Sequence, residues 1–474
     1  MTRARLVFPA LRARRGSFAH ERAKIAAALV AGVGGFILFG GTRRAVSELT
    51  RALRRDADRG LLFGSDLERG PGQQFRGLTE LPPPAALGFL DDLDATYAAG
   101  MITGTEAQAA GVCWAFAPVC DLDVEPRNPI VQTRSFGSDP ARVGAHAAKW
   151  IAGCQEHGVM ACAKHYPGHG RTTTDSHEGL PVVQTPADEL RQTDVAPFGA
   201  AVQAGVGSVM SAFVAYPGWD DSGSAATFSR PILGYLRDPL GFNFQGLVVT
   251  DAFIMGGATA AQSEGPAAVS AVTAGCDALL YPTDWQAVIR ALDAVPDDRA
   301  EEAIARVDVA GHQWCRSEVG EVNPQVYIDH QHVADGLADR AVHLVRGEAP
   351  PLRAPFSIAI VDDDVGGPYS IAPRDVFGKA LGVTPGRRPG VSRVILVYAE
   401  PRSWKGRGDL GARSVAQLER LAPSATLVVL FGHPRLAAQI PGEAPIVCAW
   451  HGQALMQRAA ARWVRQRVMT AGAR

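Results

Sequence analysis

Between Lys164 and His177 lie fourteen residues, K-H-Y-P-G-H-G-R-T-T-T-D-S-H, in which a lysine and a histidine close a short apolar run and a Pro/Gly-rich loop leads to an aspartate two residues before a further histidine. A carboxylate at Asp175 that accepts from one ring nitrogen of His177 fixes its tautomer and leaves the other nitrogen free to move a proton. Imidazole titrates near neutrality, at about pH 6.5, so the pair reads as a general acid/base carried on a loop. The plain alternative is a solvated turn with incidental histidines, since Gly and Pro punctuate any loop. Against it stand many positions of defined chemistry at fixed spacing. A second carboxylate, Asp251, ends the apolar run Leu247 to Thr250. There it is either a nucleophile at the end of a strand or the cap of a following helix.

Such groups need a frame that brings distant residues together. Short apolar runs recur at Leu6 to Phe8, Phe36 to Phe39, Leu61 to Gly64, Trp114 to Pro118, Met160 to Ala163, Ser208 to Ser211, Leu247 to Thr250 and Ala278 to Tyr281, with helix-compatible stretches between them. The alternation predicts an α/β fold, a TIM-type (β/α) barrel. Asp66, Asp121, Lys164-His165, Ser211 and Asp251 each sit at or just beyond the carboxyl end of such a run. In a barrel those ends converge on one face, where active sites are built. An open doubly wound sheet is the structural alternative. Pro350 to Pro355 reads as a stiff linker, and the runs Ile358 to Val361, Val394 to Tyr398, Leu427 to Phe431 and Ile446 to Ala449, with a final helix over Gln453 to Val464, predict a smaller α/β domain. The expected organisation is a barrel over 1–345, a linker over 346–355 and the small domain over 356–474. His433 and His451, at strand ends there, read as structural or surface residues rather than proton donors.

A chain of 474 residues exceeds one ordinary core, in keeping with two domains. Apolar content of 47%, 20% charged residues and a net charge of -1 describe a globular protein without the basic surface of a nucleic-acid binder. Seven cysteines without tight C-x-x-C pairs point to buried thiols in a reducing compartment rather than a disulfide frame or a zinc site. Ile25 to Gly41 carries no charge, but it contains five glycines and switches midway from Ala/Leu/Val to Phe36-Ile37-Leu38-Phe39. It reads as a helix end followed by a buried strand, not a membrane span, which needs about 20 predominantly apolar residues. Arginines at 3, 5, 12, 14 and 15 are followed by no signal-type apolar core. The expected setting is cytoplasmic, with no membrane and no nucleic acid as partner. No metal cluster, phosphate loop or dinucleotide fingerprint is visible, so no cofactor and no metal are expected.

The Lys164 to His177 run resembles the signature loop of glycoside hydrolase family 3, in the form carried by bacterial β-N-acetylglucosaminidases (K-H-F/I-P-G-H-G-x4-D-S/T-H); Tyr166 is its one mild departure. Gly246-Leu247-Val248-Val249-Thr250-Asp251-Ala252 resembles the family's nucleophile strand, with the lead-in Gly241 to Gly246 two residues longer. Asp66-Leu67-Glu68-Arg69-Gly70 with Phe75 is similar to the family's D-x-E-x-G-x-x-x-x-F segment. The resemblance implies that Asp251 is the nucleophile of a retaining glycosidase and His177, oriented by Asp175, its acid/base. It implies sugar contacts by Asp66, Arg134, Lys164 and His165. Asp121 matches as a structural residue or one that supports the site from behind.

Departures from the family pattern are Gln74, where many members place an arginine, and Phe213, where histidine is usual after Met210-Ser211-Ala212. The second domain is also shorter than in two-domain members, which leaves open whether it reaches the site. The implied activity is hydrolysis of terminal β-N-acetylglucosamine from a carbohydrate substrate (a β-N-acetylhexosaminidase), with cell-wall recycling as its expected setting. The alternatives are a β-glucosidase or a β-N-acetylglucosaminide phosphorylase of the same family, and a catalytically silent sugar-binding protein. Binding alone requires neither Asp251 nor the Asp175/His177 pair.

Overall fold

Strands covered on both faces carry continuous apolar runs and pair in parallel, and each of the eight expected runs holds such a strand in the computed structural model. The structure describes residues 2–57, 59–176, 179–259, 262–315, 322–348, 352–353, 356–367, 371–383 and 391–469. The strands are β1 (Val7–Phe8), β2 (Ala10–Arg12), β3 (Gly35–Phe39), β4 (Leu62–Ser65), β5 (Trp114–Ala115), β6 (Met160–Tyr166), β7 (Ser208–Ser211), β8 (Leu247–Thr250) and β9 (Leu279–Leu280). From β2 to β8 they form one parallel sheet in sequence order, and β1 pairs in parallel with β9. Pro9 alone separates β1 from β2, so the two act as one broken strand. Val249 bridges to Ala278, and the Thr250 amide donates to the Ala278 carbonyl at 3.0 Å, which closes the ring. Closure excludes the open doubly wound sheet.

Helices between the strands start on side-chain caps: Thr42 on Arg43–Asp56, Asp92 on Leu93–Ala109 and Asp139 on Pro140–Glu156. The last two pack tightly, since a Cβ on Gly100 would lie 2.2 Å from the Trp150 carbonyl oxygen. The uncharged segment Ile25 to Gly41 divides, as its composition predicts, between the helix Arg22–Ala31 and the buried strand β3. No helix among the described residues is long and apolar enough to cross a membrane.

A second sheet is built from β10 (His343–Arg346), β12 (Phe356–Asp362), β13 (Ser392–Ala399), β14 (Leu427–Gly432) and β15 (Ile446–Cys448); β11 (Leu352–Arg353) falls between β10 and β12 in the chain, and β16 (Val468–Met469) follows β15. Its order is β10-β15-β14-β13-β12, parallel except for β10 against β15. Of the expected stiff linker, 350–351 and 354–355 lie outside the described residues. Leu352, which is fully buried, and Arg353 pair in parallel with β16. The helix Ala454–Arg465 covers this sheet beside Pro324–Ala341. Polar contacts dock the sheet on the barrel: Arg435 pairs with Asp123, His433 Nε2 lies 3.0 Å from the same carboxylate, and Gln132 donates to the Gly408 carbonyl at 3.1 Å. All seven cysteines are free thiols.

Candidate active site

On a regular strand neighbouring side chains point to opposite faces. The β6–β7 register slips between Lys164 and Tyr166, leaving His165 as the extra residue, and both Lys164 and His165 line the same cavity at the barrel mouth. Lys164 Nζ sits 2.9 Å from Asp66 Oδ1 and 2.8 Å from Glu68 Oε1. Arg134 grips Glu68 with both edges of its fork, Nε to Oε2 at 3.0 Å and a terminal nitrogen to Oε1 at 2.7 Å. Burial opposes the Glu68 charge, but Arg134 and Lys164 outweigh it and hold the carboxyl well below the usual carboxylate range. The structure therefore brings Asp66, Arg134, Lys164 and His165 together as the sequence suggested. It adds Glu68, which the D-x-E spacing contained without a role: it is the shared counterion of two cations that face the cavity.

Behind them Asp121 is fully buried. It accepts from His165 Nδ1 at 2.6 Å, from the His165 amide at 3.2 Å and from the His169 amide at 2.6 Å. Burial would raise its pKa, yet these partners lower it. The loop that follows β6 is tied down at its root. Asn128 donates to the His169 carbonyl at 2.9 Å, and His169 joins Thr172 Oγ1 at 2.7 Å to Ser176 Oγ at 2.9 Å. A Cβ on Gly170 would lie 1.9 Å from the Leu122 carbonyl oxygen, so the loop can pass there only as glycine. Burial pushes His169 down to about 4, so it is neutral at physiological pH and acts as a tie rather than a proton donor. Asp175 is buried at the end of this loop; His177, its expected partner, lies outside the described residues.

Asp251 follows β8 directly and opens into the cavity with its side chain 18% exposed. Its Oδ1 accepts from the adjacent Ala252 amide at 2.7 Å, and the next helix begins only at Gly256, so that hydrogen bond is local and caps no helix. His165 Nε2 stands 3.9 Å from Asp251 Oδ2, close enough to feel its charge and too far for a hydrogen bond.

The cavity holds about 750 Å³, and the second sheet supplies part of its wall through Glu400, Arg402, Trp404 and His451. Despite its short length, that domain reaches the site. Glu400 pairs with Arg402, accepts from the Gly452 amide at 2.8 Å and lies 3.5 Å from Arg374. Burial alone would raise its pKa, but these guanidiniums and Arg69 keep it well below the usual range. His451 Nδ1 accepts from Arg69 at 3.1 Å, and the ring is held far below the ordinary histidine range by burial, with Arg69 adding to the effect. It is buried, whereas His433 is half-buried against Asp123. Gln74 lines the cavity and contacts the Gly40 amide at 3.4 Å, whereas Phe213 is buried among Phe228 and Phe253.

Acidic and basic side chains drawn from several strand ends around a cavity of sugar size on the carboxyl face of a (β/α) barrel define a glycoside hydrolase architecture. The chain belongs to glycosyl hydrolase family 3: residues 9–310 match the model described as "Glycosyl hydrolase family 3 N terminal domain". A beta-hexosaminidase from Chromobacterium violaceum is 36% identical over 304 residues, 60% of this chain and 82% of the relative. A protein from Cellulomonas fimi named beta-N-acetylglucosaminidase/beta-glucosidase is 32% identical over 58% of this chain and 51% of its own length. The fold matches that of a family 3 beta-N-acetylglucosaminidase from Paenibacillus sp. str. FPU-7 with a TM-score of 0.84 at 24% identity, covering 99% of this chain and 97% of that one. A beta-glucoside phosphorylase shares the fold equally, with a TM-score of 0.84 at 22% identity over 99% and 92% of the two chains.

Proposed function

We propose that the protein is a retaining β-N-acetylhexosaminidase that releases terminal β-linked N-acetylglucosamine through a covalent glycosyl-Asp251 intermediate. The observation that carries the reading is the state of Asp251. Glu68 is saturated by Arg134 and Lys164, and Lys164 also holds Asp66, whereas Asp251 pairs with no lysine or arginine among the described residues and faces the cavity. An unneutralised carboxylate is the one free to attack. In the first step an Asp251 oxygen bonds to the anomeric carbon as the glycosidic bond breaks, and His177, steered by Asp175, protonates the departing oxygen. In the second, His177 takes a proton from the water that displaces Asp251, restoring both groups with net retention. Asp66 accepts from sugar hydroxyls, Arg134 and Lys164 donate to them, and His165, whose Nδ1 proton goes to Asp121, meets them through Nε2. The hexosaminidase choice rests on the Asp175-Ser176-His177 loop and on the name of the Chromobacterium violaceum relative.

The test sets aryl β-N-acetylglucosaminide beside aryl β-glucoside, and adds Asp251→Asn. The acetamido substrate is expected to turn over faster, and the variant to lose several orders of magnitude while staying folded. A fluorosugar trap read by mass spectrometry is expected to label Asp251. A label on another residue, or a variant that keeps about a tenth of the wild-type rate, would overturn the assignment.

A further inference from the structure

Three of the other cationic side chains of the cavity wall answer a carboxylate, Arg134 and Lys164 holding Glu68 and Arg402 holding Glu400, while Arg69 is spent on His451 and Gln453. Arg12 is different. It ends β2, its guanidinium carbon lies 4.3 Å from the Phe39 ring centre and 5.2 Å from that of Tyr281, and its Nε donates to the Tyr281 hydroxyl at 2.6 Å. Among the described residues its guanidinium pairs with no carboxylate. The nearby Glu21 takes the Arg12 main-chain amide at 3.1 Å and pairs with Lys24 at 3.0 Å instead.

The clamp is built by the barrel itself. Arg12 and Phe39 are register partners of β2 and β3, and Tyr281 follows β9 with φ at +52°, a conformation bulky residues rarely adopt. Rings on its faces fix the guanidinium in place, and with Nε given to the Tyr281 hydroxyl the edge formed by its two terminal nitrogens stays open. That edge is the part that binds a two-oxygen anion, and holding it in advance removes most of the rotamer entropy that binding would otherwise cost. All three residues line the cavity with Asp251. Round the ring the order is β6, β7, β8, β9 and then the β1/β2 strand, so Asp251 stands midway between Lys164-His165 and Arg12. A sugar whose anomeric carbon meets Asp251 and whose hydroxyls lie toward Lys164 turns its other edge toward Arg12.

We infer that Arg12 is an oxyanion contact of the substrate site, so that the enzyme takes a reactant bearing a carboxylate or phosphate in preference to its neutral counterpart. The inference rests on the glycosidase reading above. Three sources share this chemistry: an anionic group on the sugar, one on the leaving group, and inorganic phosphate as acceptor in place of water. The test compares matched pairs on wild type and Arg12→Met, which keeps an apolar stem between the two rings: aryl β-N-acetylglucosaminide with and without a 6-phosphate, the same glycoside with a neutral and a carboxylated aryl group, and product formation with and without inorganic phosphate.

In one of these arms wild type is expected to favour the anion by about ten- to hundredfold in kcat/KM, the span of one charge-assisted hydrogen bond. Arg12→Met is expected to bring that ratio to about one, and the responding arm identifies the source. A merely structural Arg12 would slow both members of a pair alike and leave their ratio standing. A wild-type ratio near one in all three arms, or a ratio that survives the substitution, overturns the inference. Kd values of the S-linked analogues and of inorganic phosphate, by calorimetry on the same proteins, give the anion preference independently of turnover. Loss of turnover with the binding preference intact therefore indicts the glycosidase reading and not Arg12.

Discussion

Glu68→Gln puts the site's electrostatic keystone to the test. The side chain is 7% exposed and answers Arg134 through two contacts and Lys164 through one at 2.8 Å. Removing one partner of a buried ion pair typically costs about 3–5 kcal/mol, because the remaining charge stays buried without compensation. Here Lys164 keeps Asp66 and Arg134 keeps the Ile130 carbonyl at 3.2 Å, which places the loss at the lower end, about 3 kcal/mol. Urea denaturation reads it directly as a lower midpoint at unchanged slope.

The sign with pH follows from the depressed Glu68 carboxyl. A group whose folded pKa lies below its unfolded value, near 4.3, contributes stability that is full above that value and lost as pH falls through the folded one. The difference between wild type and variant is therefore flat from about pH 6 upward and shrinks in the acid range. Activity reports the same geometry: if about 2.7 kcal/mol of the misplacement of Arg134 and Lys164 is felt in the transition state, kcat/KM falls about a hundredfold. A stability change under about 0.5 kcal/mol together with kcat/KM within twofold of wild type would show that Glu68 behaves like a surface ion pair, and would refute the argument.

Asp121→Asn retains an oxygen for the His165 and His169 amides but no anion for His165 Nδ1; urea unfolding is expected to show a loss of about 1.5–3 kcal/mol, and a change below about 0.5 would dismiss the role of Asp121 as anchor. His177→Ala is expected to slow glycosides with poor leaving groups far more than nitrophenyl glycosides, since a good leaving group departs without a proton; equal slowing returns His177 to a structural part. Trp404→Ala, which strips an aromatic surface from the second sheet's share of the wall, is expected to raise KM about threefold or more in steady-state assays, and an unchanged KM would leave Trp404 as a mere cover.

The barrel was legible because strands such as β6 and β8 are buried along their whole length and so appear as unbroken apolar runs. Their polar ends, Lys164-His165 and Asp251, were legible for the same reason: a charge that directly follows such a run must leave the core at the mouth. Glu68 was visible only as part of a spacing, because its importance lies in being shared by Arg134 and Lys164, which are distant in sequence. The wall formed by Glu400, Arg402 and Trp404 was hidden more deeply. Nothing local marks these residues, and they reach the cavity through contacts across the two domains such as those of Asp123 with Arg435 and His433. Arg12 was one arginine among five near the N-terminus, and its clamp depends on the pairing of β2 with β3 and on barrel closure at β9.

A binding wall divided between two sheets makes ligand affinity and domain docking a single linked equilibrium. A sugar that touches Lys164 on the barrel and Arg402 on the second sheet tightens the docking of the two by the same factor by which docking tightens its own binding. Saturating ligand should then act as a tether between the domains: it should raise the unfolding temperature of the small domain and protect its amides from exchange along β13 and β14. Conversely, a substitution at Asp123, outside the cavity wall, weakens the ligand through the joint alone.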